Sequence, residues 1–312
     1  GNYNTATGCE ALENNTTGAE NTAVGYQALE NNTTGDKSVA VGTYALESST
    51  TGGYNSAVGY QALQSTTTGA QNTGMGYLAL KSNTTGTYNV AIGYAALDST
   101  TTASHNLAVG AHALDSATTG DRNTAIGYAA LFTNTVGDRN VAIGHRALYT
   151  MNPSSNADTM NVAVGYAALE VTTTGTHNTA VGGYAMQTNS TGISNCAFGE
   201  QALVLNTTGS YNVAVGRFSL DANTTGDSNI AIGYGALGSN TTANSNVAIG
   251  YEALGAATTA FANVAVGYQS LDANTTGGDN TAVGYHALTA NTTSGSNTAV
   301  GAYCLDANTT GA

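Results

Sequence analysis

Eighteen times along the chain a glycine ends the same short phrase, usually A-V-G or A-I-G. It falls at 8, 25, 42, 59, 76, 93, 110, 127 and 144, then at 165, 182, 199, 216, 233, 250, 267, 284 and 301. Every step is 17 residues except one of 21. Such strict self-similarity constrains the fold more than any single motif, because each repeat must be one structural unit stacked on the next. The four additional residues lie within 149–160, together with the chain's one proline, Pro153. A loop can bulge there without breaking a hydrogen-bonded ladder.

Taking Asn21 as column one and Lys37 as column seventeen, the repeat reads N-T-A-V-G-Y-Q-A-L-E-N-N-T-T-G-D-K. Column one is Asn except at Ser38, column three is Ala except at Gly74, column five is always Gly, and column nine is Leu except at Met186. Column four is β-branched except at Met75 and Phe198, and column six is Tyr in ten repeats. Helical repeats need about 33 residues or more, since two helices must pair. A fixed central Gly among β-branched residues is poor helix chemistry. Columns one to six alternate as a strand does, and N-T-T-G is turn chemistry. One strand-rich segment, a turn and a shorter second segment carrying the column-nine Leu would complete a coil. The expected fold is therefore all-β: a β-solenoid of eighteen 17-residue rungs with one four-residue insertion near 149–160. At about 4.8 Å per rung the array would run about 80 Å.

In that fold the column-one Asn forms an amide ladder at a buried corner. The column-five Gly permits a sharp turn or a close approach. Ala103, Ala243, Ala260 and Ser294 replace Gly in column fifteen, so that corner does not demand positive φ. The strand is apolar on both faces, Ala on one and Val/Ile with Tyr on the other, which predicts burial of the second face between chains. Gly1-Asn2-Tyr3 reads as the tail of a preceding repeat and 305–312 as an unfinished one. The expectation is one repeat array over 1–312, uncapped at both ends and part of a longer fibrous chain.

Six basic residues against nineteen acidic ones, a net charge of −13, would repel phosphates and anionic lipid. Nucleic acid and membrane insertion are thus not expected, and no apolar run is long enough to span a bilayer.

The core N-[TV]-A-[VI]-G-Y, with K-S-V-A-V-G at 37–42, resembles the YadA-like head repeats of trimeric autotransporter adhesins. The whole phrase N-T-A-V-G-Y-Q-A-L-E-N-N-T-T-G-D-K is similar to repeats of bacterial and phage tail-fibre-like proteins. The resemblance covers the whole chain. It implies a trimeric, left-handed parallel β-roll at a cell or virion surface, outside the cell.

No nucleophile elbow, phosphate loop or dinucleotide fingerprint occurs, and nearly every position is copied, so the chain is not expected to be an enzyme. The histidines, at 105, 112, 145, 177 and 286, are mostly many rungs apart and read as surface variation, with no metal site. Cys9, Cys196 and Cys304 stand in different columns and read as small apolar fillers. Glu13, Glu30 and Glu47 share column ten on successive rungs; Ca²⁺ could bridge them, but solvated side chains are the stronger reading and no cofactor is expected. Asn15, Asn32, Asn83, Asn189, Asn206, Asn223, Asn240, Asn274, Asn291 and Asn308 each open an N-x-[ST] sequon in the turn, which makes them candidate glycosylation sites and covalent glycans a candidate coat. The expected function is structural: a shaft or head segment of an extracellular filament, surface adhesin or tail fibre, self-associating in parallel, as a trimer or filament. The alternative is a carbohydrate-binding module, or less plausibly an ice-binding one, using stacked Thr, Asn and Tyr rows against a surface polysaccharide.

Overall fold

The computed structural model describes residues 1–155 and 157–311. Each repeat closes into one coil, and the reason lies in its column-one asparagine. The Asn21 side-chain amide donates to the Gly35 carbonyl oxygen at 2.8 Å, fourteen residues on. Its Oδ1 accepts the backbone N–H of Ser38, column one of the next rung, at 2.9 Å. One side chain thus shuts its own rung and fastens the following one. The same pair of bonds recurs at Asn55, Asn178 and Asn229. The expected ladder is present, and it joins side chain to backbone as well as amide to amide.

The chain divides into two units, Gly1–Met160 and Asn161–Ala312. In the first, nine three-residue strands from Thr5–Thr7 to Val141–Ile143 pair in parallel, each with the next. In the second, nine more run from Val162–Val164 to Thr298–Val300 in the same way. Register is strict: Ala23 pairs with Ala6 and Ala40, column on column. The fold is the expected all-β parallel solenoid, and the described residues contain no helix.

The expected second segment is not a strand. Columns two to four are the strand, and columns six to eleven are a train of turns. Residues of columns seven, nine and seventeen take left-handed φ although almost none is glycine; Gln27, Leu29 and Lys37 stand at 55°, 52° and 56°. Such a conformation costs an ordinary residue about 1–2 kcal/mol. It persists because its neighbours fix it. Leu29 N–H donates to Ala45 O of the next rung at 3.0 Å, and Gln27 N–H to Cys9 O of the preceding one at 3.0 Å. The inter-rung ladder therefore continues through the turns.

The interior is narrow. Between the first and last rungs, Ala in columns three and eight and Leu in column nine are wholly buried, for example Ala23, Ala28 and Leu29. Each buried Leu contributes about 2 kcal/mol of apolar burial. Val, Ile and Tyr of columns four and six point outward. Column-five glycines have φ between 128° and 141°, and at those from Gly8 to Gly127 and from Gly165 to Gly284 a Cβ would lie 2.3–2.7 Å from the next rung's carbonyl oxygen. Column-fifteen glycines have no such φ, as their replacement by Ala and Ser suggests.

The insertion leaves the coil after Asn152, whose Oδ1 still accepts Thr135 N–H of the preceding rung at 3.3 Å. Met151 fills the buried column-twelve place. The chain returns as Ala157–Asp158, paired in parallel with Gly137–Asp138, and Thr159 hydrogen-bonds Asp138 O. Asn156, within this insertion, and Ala312 lie outside the described residues.

Candidate functional site

The feature most exposed to a partner is the outward face of the strand. Val24, Val41, Val58, Met75 and Ile92, column four on five successive rungs, stand 37–42% exposed. Beside them runs a row of rings. Tyr60, Tyr77 and Tyr94 stack at 5.3 Å, and Tyr234, Tyr251, Tyr268 and Tyr285 at 5.1–5.4 Å.

The row is more complete than column six alone shows. Where column six lacks a ring, column seven supplies one at Tyr44, His112, Tyr184, Phe218 and Tyr303. These reach their neighbours edge-on: Tyr26–Tyr44 at 5.5 Å, Tyr94–His112 at 5.1 Å, Tyr166–Tyr184 at 5.1 Å and Phe218–Tyr234 at 5.8 Å. The signal that would have revealed this is the complementarity of two adjacent columns. Histidine also serves as a ring here, where His145 stacks on Tyr128 at 5.3 Å; apart from this row, in column seventeen, His105 stacks on Tyr88 at 5.0 Å.

The sequon asparagines occupy a buried corner. Asn32, Asn83, Asn189, Asn206, Asn223, Asn240, Asn274 and Asn291 are wholly buried, and the amide nitrogen that would carry a sugar donates to the column-fifteen carbonyl at 2.9–3.2 Å. Asn15 and Asn308, on the first and last rungs, make the same bond but are only partly covered. Where the next rung also carries Asn, its amide donates back to the Oδ1, as from Asn223 to Asn206 at 2.9 Å and from Asn240 to Asn223 at 3.0 Å, except at Asn291, whose Oδ1 is buried without a partner although Asn308 follows. Asn32, Asn83 and Asn240 are followed by Ser49, Thr100 and Ala257, and their Oδ1 atoms are buried without a partner. A sugar on any of the eight buried amides would break the corner bond and open the rung. Folded chain recovered from a glycosylating host is therefore expected to show no N-glycan on these eight by peptide mass spectrometry.

The threonine ridge divides likewise. Column-thirteen hydroxyls donate to the next rung's carbonyl, as Thr33 does to Thr50 O at 2.9 Å. Column-fourteen threonines such as Thr34 face solvent.

Acidic residues line the side next to the ring row. Glu10, Glu13 and Glu30 place carboxylate oxygens within 4.8 Å of one another. Glu47 shares column ten with Glu13 and Glu30, while Glu10 stands in column seven; loss of hydration together with Glu10, Glu47 and Glu13 raises the Glu30 carboxyl above its ordinary value. Burial likewise raises Asp98, Asp221 and Asp272 in column ten. Gln27, Gln64, Gln187 and Gln269 donate across rungs to Glu10, Glu47, Glu170 and Glu252 at 2.6–2.7 Å, so part of this acidity is spread into amide–carboxylate pairs. Cys9, Cys196 and Cys304 are free thiols.

Among the described residues no helix is long and apolar enough to cross a membrane. Compared with known proteins, the chain matches no family, and no curated protein is significantly similar to it.

Proposed function

We propose that the chain is a shaft or head segment of an extracellular fibre, such as a filament, surface adhesin or tail fibre, in which parallel copies share the outward face of the strand. The observation that carries this is the repetition of exposed Val and Ile in column four, rung after rung, beside a nearly unbroken ring row. Monomeric proteins rarely leave so long an apolar strip in water. Fixed register gives parallel copies matching columns at every level, and a closed cyclic arrangement of three suits a face repeated along one direction. The work of such a segment is to hold length and stiffness outside the cell or on a virion.

Sedimentation with electron microscopy tests this. The wild-type chain is expected to run as an oligomer of side-by-side chains. Val215→Glu with Ile232→Glu, on adjacent rungs, is expected to shift it towards monomer while the β circular-dichroism signal persists. A wild-type chain that stays monomeric at every concentration tested would sink the proposal.

A further inference from the structure

Columns seven and ten hold glycine at only three places in all eighteen rungs, Gly235, Gly238 and Gly255, and the three lie on two successive rungs. Backbone conformation does not ask for them. Column seven takes left-handed φ at Gln27 and Ala129 as it does at Gly235, and Gly238 and Gly255 have no positive φ. What glycine leaves there is room. Column ten reads Asp221, Gly238, Gly255, Asp272 on four successive rungs, a gap two rungs long between two carboxylates. Both lean into it: Asp221 Oδ1 lies 3.4 Å from where a Cβ on Gly238 would stand, and Asp272 Oδ1 2.9 Å from where one on Gly255 would. The result is a cleft of about 590 Å³, which Phe218, Tyr234 and Glu252 also line.

Three carboxylates line this cleft and no Lys, Arg or His does. Residues 218–312 contain no Lys or Arg at all. Arg217 sits outside the lining, 4.4 Å from the Phe218 ring centre, and is paired with Glu200 at 3.1 Å. Gln269 donates to Glu252 at 2.7 Å, which satisfies an oxygen without adding a positive charge. Burial raises the Asp221 and Asp272 carboxyls above their ordinary value; at Asp272, Glu252 adds to the rise and His286 opposes it. A cation brought between them would offset that cost. The three acids are too spread to share one metal ion. Among the described residues, the one group of three acids whose oxygens lie within 4.8 Å of one another is Glu10, Glu13 and Glu30. Asp221 and Asp272 are three rungs apart, about 14 Å along the column at strand spacing.

We propose that this cleft binds a free linear alkyl polyamine, with its terminal ammonium groups on Asp221 and Asp272 and its chain over the glycines. Carboxylates set apart along a line match ammonium groups joined by methylenes, each end making a charge-assisted hydrogen bond. The methylenes find apolar surface on Phe218 and Tyr234, and an ammonium beside a ring gains cation–π attraction. Glu252, on a rung between the two ends, meets the inner amine of a triamine. The volume falls in the roughly 300–1,000 Å³ range of small-molecule sites. The assignment does not rest on the fibre reading, because the lining comes from columns six, seven, ten and eleven and none of it from the outward Val and Ile of column four.

Titration calorimetry on the whole chain tests this, with spermidine, octamethylenediamine, octylamine and Mg²⁺ as probes. Salt at about 0.15 M screens the diffuse attraction that a chain of charge −13 exerts on any cation. Spermidine is expected to bind one-to-one, and octamethylenediamine about tenfold tighter than octylamine, which offers a single ammonium. Asp221→Asn with Asp272→Asn is expected to weaken spermidine about tenfold or more. Asp227→Asn with Asp279→Asn removes the same charge outside the cleft and is expected to leave the affinity unchanged. Gly238→Gln with Gly255→Gln keeps every charge, places the residue found at Gln64 and Gln187 of the same column, and is expected to abolish the site by filling it. An unchanged thermal melt certifies each fold, and the asparagine pairs decide by themselves if the glutamine variant melts early. Absence of one-to-one spermidine binding, tighter binding of Mg²⁺, octylamine as tight as the diamine, equal losses in the two asparagine pairs, or full affinity in a folded glutamine variant would each overturn the proposal.

Discussion

Gly59→Ala is expected to destabilise the array by about 4 kcal/mol, read as a lowered urea midpoint. Two effects combine: φ of 138°, which an L side chain rarely adopts, and an added methyl only 2.3 Å from Gly76 O. A control separates them. Gly69, in column fifteen, is as crowded, with a Cβ 2.5 Å from Gly86 O, but its φ is ordinary. Ala103, Ala243 and Ala260 occupy that column in other rungs, so neighbours there can shift by the few tenths of an ångström required. Gly69→Ala is therefore expected to cost about 1 kcal/mol. Equal losses at the two sites would mean that crowding alone decides. Because each rung touches only its neighbours, hydrogen exchange should quicken in the rungs beside Gly59 and stay slow several rungs away.

Asn229→Ala should be nearly as damaging. It removes the bond from Nδ2 to Ala243 O at 2.8 Å and the acceptor of Asn246 N–H at 3.0 Å. Both orphaned groups are buried, and each carries a desolvation penalty of about 1–3 kcal/mol, so a total near 3 kcal/mol is expected. Asn229→Ser should recover about half. Ser38 shows why: its hydroxyl accepts Asn55 N–H at 3.2 Å, but it turns to Asp36 O and does not reach the column-fifteen carbonyl of Gly52, which the Ser49 hydroxyl meets at 3.4 Å. Chemical denaturation of the two variants side by side checks this, and a serine as costly as alanine would contradict the division of labour between the two amide atoms.

The period, the invariant Gly, the small Ala and the Leu plug made the coil readable from sequence, because each serves a requirement that repeats every rung. The turns at columns seven and nine were hidden for the opposite reason. Gln27 and Leu29 carry no local preference for left-handed φ; ladder bonds from adjacent rungs impose it, and a single repeat read by itself contains none of them. N-T-T-G misled in part. Asn favours exposed turns and buried corners alike, and only the closure onto the column-fifteen carbonyl tells which is present. The ring row was legible but divided between two columns, so a column-by-column count at Tyr44, Tyr184 and Tyr303 saw gaps where the structure has rings.

The column-one amide has a direction. Within each unit its oxygen takes the N–H of the rung that comes later in the chain, as Asn178 does for Asn195 and Asn195 for Asn212. A nascent chain emerging from the ribosome therefore lays each new coil against a face whose acceptors are already in place. The decisive contacts span seventeen residues however many coils precede them, so lengthening the array does not lengthen the search that any one coil must make. Synthesis and folding can then keep step, and evolution can duplicate a coil without altering the folding problem of the next.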